Sequence, residues 1–224
     1  MIPSEFSNNA IPRHCKTTTR KLRTPTGVPI GSSAIHAHTS VEWGATPKHH
    51  DLLSFLAYAE RSNLNKTSNV YKGTHYEYTV AAALESYNFI LQRTGRSNDL
   101  GIDLVGHWML PGSNGKVTEA FGSDIPVLIQ CKFAKPTPSM IRELEGTYVG
   151  APAGWNGPNV LALLVSTQQA TEGVRAAVQR SKWPLGVVQV TRSGVTRGFL
   201  WNAVASEAGL QGLNTLQIRM PLME

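Results

Sequence analysis

The strongest constraint on the fold is the stretch at 125–133, Ile-Pro-Val-Leu-Ile-Gln-Cys-Lys-Phe, which is apolar apart from Gln130 and Lys132. Side chains alternate across a β-strand, so Gln130 and Lys132 share one face while Ile129, Cys131 and Phe133 share the other. A strand this apolar belongs inside a sheet that is covered on both sides. A glutamine and a lysine that emerge together from such a strand serve no packing purpose.

The rest of the chain supplies what would cover it. Residues 101–108 form a second apolar run, separated from 125–133 by the polar, glycine-containing segment 111–124, so the two read as antiparallel neighbours. Residues 160–165 read as a fully buried strand and 186–190 as another. Apolar periodicity predicts helices over 51–61 and 74–87, a helix beginning at 140, and a helix over 171–181. In the second of these Tyr76, Val80, Ala83, Leu84 and Tyr87 fall on one face, with Gly73 and Thr74 as the start signal. Strands alternating with helices indicate an α/β fold. The segments 199–201 and 216–219 are weakly periodic candidates for a further strand, and no internal repeat is present.

Domain organisation follows from composition. Residues 1–45 are rich in Ser, Thr and Pro, with Arg13, Lys16, Arg20, Lys21 and Arg23 set against Glu5, the single acid before Glu42. This reads as a leader, either a mitochondrial transit peptide or a disordered basic arm. Residues 46–72 form an N-terminal helical extension, 73–190 the core, and 191–224 a C-terminal extension packing on that core. No apolar run approaches the ~18 residues needed to cross a bilayer, so no membrane span is expected. Cys15 and Cys131 are too few for a thiolate zinc site, and a disulfide between them is not expected. The net charge of +6 favours an anionic partner, whether DNA, RNA or anionic lipid.

The residues that carry chemistry are Asp99-Leu-Gly-Ile-Asp103 and the later Gln130-Cys-Lys132. If Asp103 lies on the strand beside Gln130, its carboxylate and the glutamine amide oxygen both reach a hard, oxygen-preferring cation, Mg2+ or Mn2+. Lys132 would then position a water or stabilise charge developing on a phosphoryl group. The bland alternative is an aspartate that caps a turn and two polar residues at an exposed sheet edge. His36, His38, His49 and His50 lack the spacing of a metal site. Ser166 has no Gly-x-Ser-x-Gly context, and no phosphate-binding glycine loop occurs.

Asp-x-Gly-Ile-Asp followed by Gln-x-Lys resembles the Mrr-like branch of the PD-(D/E)XK nuclease superfamily. Gly73-Thr-His-Tyr-Glu77 is similar to that branch's opening helix, Ile141-Arg-Glu-Leu-Glu-Gly146 to its next helix, and Val165-Ser-Thr167 to a later strand end. More narrowly, the chain resembles the fungal mitochondrial family named "required for respiratory growth". The resemblance implies a restriction-endonuclease-like core, a central mixed sheet flanked by helices, with Mg2+ or Mn2+ as cofactor. It makes Glu77, Asp103 and Gln130 the metal-side residues and Lys132 the catalytic lysine. It further implies an auxiliary role for Asp99 and phosphate contacts from Arg142, Ser166 and Thr167. DNA or RNA would be the partner, a homodimer is compatible, and the location would be mitochondrial. Where the superfamily more often has an acid, this chain has Gln130, which keeps an oxygen ligand but lowers charge compensation. Three functions remain open at this point: a metal-dependent nuclease, a nuclease-fold module that binds nucleic acid without cutting it, and a protein-assembly factor for respiratory growth.

Overall fold

The structure, a computed structural model, describes residues 48–94, 101–110, 124–211 and 213. Its centre is a six-stranded mixed sheet in sequential order: β1 (Phe89–Arg93), β2 (Leu104–Met109), β3 (Asp124–Lys132), β4 (Leu161–Ser166), β5 (Leu185–Val190) and β6 (Thr196–Trp201). β1, β2 and β3 pair antiparallel, β3, β4 and β5 pair parallel, and β6 returns antiparallel on β5. The parallel links are crossovers that carry helices. α3 (Pro138–Gly150) joins β3 to β4, and α4 (Glu172–Arg180) joins β4 to β5.

Helices cover both faces. α2 (Asn69–Glu85) buries Tyr76, Val80 and Leu84 against Leu104, Val127, Ile129 and Val165. α5 (Ala203–Ala205), continued by a π-helical turn at Ser206–Leu210, adds Ala205, Ala208 and Leu210 to this same core. On the opposite face α3 and α4 bury Ile141, Leu144, Tyr148, Val174 and Val178 against Leu128, Leu164 and Val187. Every residue of β4 is buried, as expected for a central parallel strand covered on both sides. Each large apolar side chain buried in this way contributes roughly 1.5–3 kcal/mol.

The element boundaries have local causes. α1 (Leu52–Arg61) starts at a capping box in which the Asp51 carboxylate accepts from the Ser54 N–H at 2.7 Å and the Ser54 hydroxyl accepts from the Asp51 N–H at 3.0 Å. α2 begins at Asn69, five residues before the start expected from Gly73 and Thr74, because the Ser68 side chain caps it by accepting from the Tyr71 N–H. Its first turn shows Val70 80% exposed, so no apolar stripe announces it in the sequence. Asn88, at φ +65°, reverses the chain into β1, a strand that the periodicity does not reveal. Phe89 stacks on Trp108 of β2 with ring centroids 4.6 Å apart. Gly106 makes this pairing feasible, since a Cβ there would lie 1.9 Å from the Ile90 carbonyl oxygen.

Two further expectations are met. The antiparallel pairing of 101–108 with 125–133 is present, and segment 199–201 belongs to β6. The leader, Asp99 and 216–219 lie outside the described residues. Among the described residues no helix is long and apolar enough to cross a membrane.

Candidate functional site

β3 turns from apolar to polar at its carboxyl end, where Gln130 and Lys132 face α3 and Cys131 faces α2. Asp103 sits just ahead of β2, next to the Leu104–Ile129 pair, and its N–H donates to the Ile129 carbonyl at 2.9 Å. Its Oδ2 accepts from the Cys131 N–H at 2.6 Å, so one carboxylate oxygen performs the capping task of the bland reading. Thr94 secures the backbone beneath it, donating from Oγ1 to the Ile102 carbonyl at 2.5 Å.

Gln130 is 2% exposed, and its Nε2 donates to Glu143 Oε1 on α3 at 3.0 Å. Lys132 Nζ donates to that same oxygen at 2.7 Å. A carboxylate only accepts, so it turns the amide nitrogen of Gln130 toward itself and directs Oε1 the other way. That Oε1 is buried and, among the described residues, has no hydrogen-bond partner. The contrast with Asn202, another buried amide, is instructive. Its Oδ1 accepts from the Leu185 and Ala205 N–H groups and its Nδ2 donates to the Trp183 carbonyl, so both ends are satisfied. Gly101, at φ +78°, closes over the Gln130 amide, because a Cβ there would lie 3.2 Å from Gln130 Nε2 and 3.1 Å from Thr147 Oγ1.

On the α2 side, Glu77 forms an ion pair with Arg93 of β1, and the two side chains are only 15% and 18% exposed. The Arg93 guanidinium also lies over the Tyr78 ring, 5.8 Å from its centroid. Tyr78 in turn is within 2.7 Å of His49 Nδ1, ahead of α1. Burial pushes the Cys131 thiol well above its ordinary pKa, and the nearby Asp103 and Glu77 carboxylates push it further. A raised pKa disfavours the thiolate, the reactive form of a cysteine.

Among the described residues no three His, Cys, Asp or Glu side chains gather into a ready metal cluster. The oxygens that could serve such an ion are those of the Asp103 carboxylate, one of which accepts from the Cys131 N–H, and Gln130 Oε1. Two protein oxygens fit a small hard cation that keeps several of its waters, as Mg2+ does. Of the residues expected to touch phosphate, Arg142 is exposed on α3. Ser166 is fully buried and donates to the Gln168 carbonyl at 2.8 Å, and the Thr167 hydroxyl points to the Ala134 carbonyl at 3.4 Å.

Sequence reasoning did not nominate Glu143 or Arg93 for the site. For Glu143 a faint signal exists: it precedes Thr147 by one helical turn, on the flank of the inward residues Ile141, Leu144 and Tyr148. Arg93 carries no such signal, because its role depends on a strand that local pattern does not show.

The sequence profile described as "Required for respiratory growth protein 7" matches residues 68–122 and 114–218. The chain belongs to this family. An uncharacterized mitochondrial protein of Schizosaccharomyces pombe is 27% identical over 159 residues, covering 69% of this chain and 60% of that protein. The mitochondrial Required for respiratory growth protein 7 of Vanderwaltozyma polyspora is 34% identical over 119 residues, covering 37% of this chain and 48% of its own length. Its namesake in Zygosaccharomyces rouxii is 25% identical over 166 residues, covering 59% of this chain and 69% of its own length. This chain thus spans less than two thirds of the first two relatives. The mitochondrial location expected from the sequence agrees with all three names. No solved structure matches the chain significantly.

Proposed function

We propose that this protein is a metal-dependent nuclease that hydrolyses phosphodiester bonds of DNA or RNA. In keeping with the name its relatives carry, we assign that activity to mitochondrial nucleic-acid maintenance. The observation that carries the reading is the buried Gln130 Oε1, which has no hydrogen-bond partner among the described residues and lies one residue along β3 from Cys131, whose N–H donates to Asp103 Oδ2. A buried acceptor without a partner costs roughly 1–3 kcal/mol, a cost that a cation at that oxygen would offset.

Asp103 and Gln130 would hold Mg2+ or Mn2+, with Glu77 adding negative charge from α2. When bound, such an ion polarises the scissile phosphate and lowers the pKa of a bound water. Lys132 presents a cation for the charge that develops on the phosphoryl group. Glu143 is a positioning residue: its one oxygen sets the Gln130 amide orientation and holds the Lys132 ammonium.

A binding module that keeps this fold without cutting is the second reading. It is favoured by the amide at 130 and by the engagement of Glu77 with Arg93 and of Lys132 with Glu143. The purified full chain, incubated with single- and double-stranded DNA and RNA and with Mg2+ or Mn2+, decides between the two. The expected result is metal-dependent cleavage that Asp103→Asn abolishes and Lys132→Ala slows by about 100–1000-fold, with folding retained in both. Binding without cleavage in the wild type would support the module instead. Neither binding nor cleavage would sink both and leave the assembly-factor role.

A further inference from the structure

The strand register sets Lys132, Ser166, Gln189 and Gly198 side by side across β3, β4, β5 and β6. Paired residues on neighbouring strands share a face, so this row starts at Lys132 in the site and runs along the α3–α4 side of the sheet toward β6. At ~4.8 Å per strand step it spans about 14 Å. At its far end lies a groove of about 210 Å³, lined by Arg175 of α4, Gln169, Gln189, and Arg197 and Phe199 of β6. Arg175 and Arg197 are exposed, and among the described residues neither forms an ion pair. Gly198 leaves the groove open, since a Cβ there would meet nothing within 4 Å.

The charges at the two ends of the row differ in kind. Lys132 is engaged by Glu143, whereas the two arginines carry their charge into open space. Guanidinium groups bind phosphate through paired parallel N–H donors, which suits them to a nucleic-acid backbone. Successive phosphates along a strand are spaced by more than the ~3.4 Å axial rise per nucleotide, so a row of this length spans only a few nucleotides. From this geometry we propose that the Arg175–Arg197 groove is the docking surface for the nucleic-acid backbone, holding phosphates about 14 Å from the one at Lys132. The proposal rests on the nucleic-acid reading of the site and adds the track by which a strand reaches it.

The experiment compares two charge-matched double variants of the full chain, Arg175→Gln/Arg197→Gln and Arg180→Gln/Lys182→Gln. The second pair lies at the carboxyl end of α4 and just beyond it, and is likewise exposed. Binding of fluorescein-labelled 20-nucleotide single strands and duplexes is titrated without divalent metal over a range of salt. The groove variant should lose affinity for every sequence, and its slope of log affinity against log salt should shrink by about 1.4–1.8, two phosphate contacts' worth. The control should change far less. Equal losses in the two variants would overturn the groove, because net charge alone would then explain them. So would unaltered binding by the groove variant, and if Asp103→Asn still abolished cleavage in that case, the nuclease site would stand without this track. Binding to phosphatidylglycerol vesicles but to no oligonucleotide would overturn the groove and the nucleic-acid reading together.

Discussion

Glu77 and Glu143 flank the site from opposite faces of the sheet, and each is paired with a cation. The Glu77–Arg93 pair is enclosed, with side chains 15% and 18% exposed, and Arg93 rests on the Tyr78 ring. The Glu143–Lys132 pair stands at the surface, with the glutamate 51% exposed and the lysine 26%. Water screens the second pair and hardly reaches the first. An enclosed pair therefore matters to folding mainly when one partner is removed, because the other is left as an uncompensated charge. An exposed pair adds little stability, so its value lies in where it holds its members. One side of the site is built to be rigid, the other to aim Gln130 and Lys132.

The largest expected effect tests the enclosed side. Arg93→Met removes the enclosed cation that pairs with Glu77 and should cost about 3 kcal/mol, read as a lowered midpoint in urea unfolding. Adding Glu77→Leu should recover most of that loss by removing the carboxylate that lost this cation. If the single variant were as stable as the wild type, the contrast between the two sides would collapse.

A smaller effect is expected on the exposed side. Glu143→Gln should leave stability within ~1 kcal/mol of the wild type yet weaken Mn2+ binding by about 10–100-fold, as lost supporting contacts around a metal ligand commonly do. Mn2+ titration followed by electron paramagnetic resonance reads this directly. Should the wild type bind Mn2+ and Asp103→Asn lose it while Glu143→Gln binds as the wild type does, Glu143 would have no positioning role.

The smallest effect concerns His49, which extends the enclosed side through Tyr78. Its pKa lies below the ordinary value because burial, then the positive charges of Arg93, Lys48 and His50, disfavour its protonated form. The unfolded chain therefore binds the proton more readily than the folded one. The stability contributed is present above the unfolded pKa, ~6.5, and is lost as pH falls through the lower folded value. Thermal melts between pH 5 and 8 should show this decline in the wild type and a flatter profile in His49→Gln. Identical profiles would show that His49 does not couple to folding.

Much of the architecture was legible because it is written in local period. Ile125, Val127 and Ile129 against Leu128 and Gln130 announce a strand with two faces, and the caps at Asp51 and Thr171 mark helix starts within a residue of where they fall. β1 escaped because Phe89–Arg93 follows α2 after a turn at Asn88 and exposes alternate residues, so five residues did not separate it from a helix end. β6 was half seen, as it is an edge strand with no fully buried residue and hence a weak pattern.

The amino-acid sequence by itself determined that Gln130 and Lys132 leave one face of a buried strand together, with Asp103 on the run that pairs with it. Period two and apolar content are properties of neighbouring residues, so no tertiary knowledge was needed. Only the tertiary structure decided which partners those residues meet. Glu143 reaches Gln130 and Lys132 because α3 folds back over the sheet. Arg93 reaches Glu77 because β1 lies beneath α2. Contacts of this kind depend on how whole elements cross, and that geometry is set by the summed packing of two cores on either side of the sheet, which no short stretch of chain encodes.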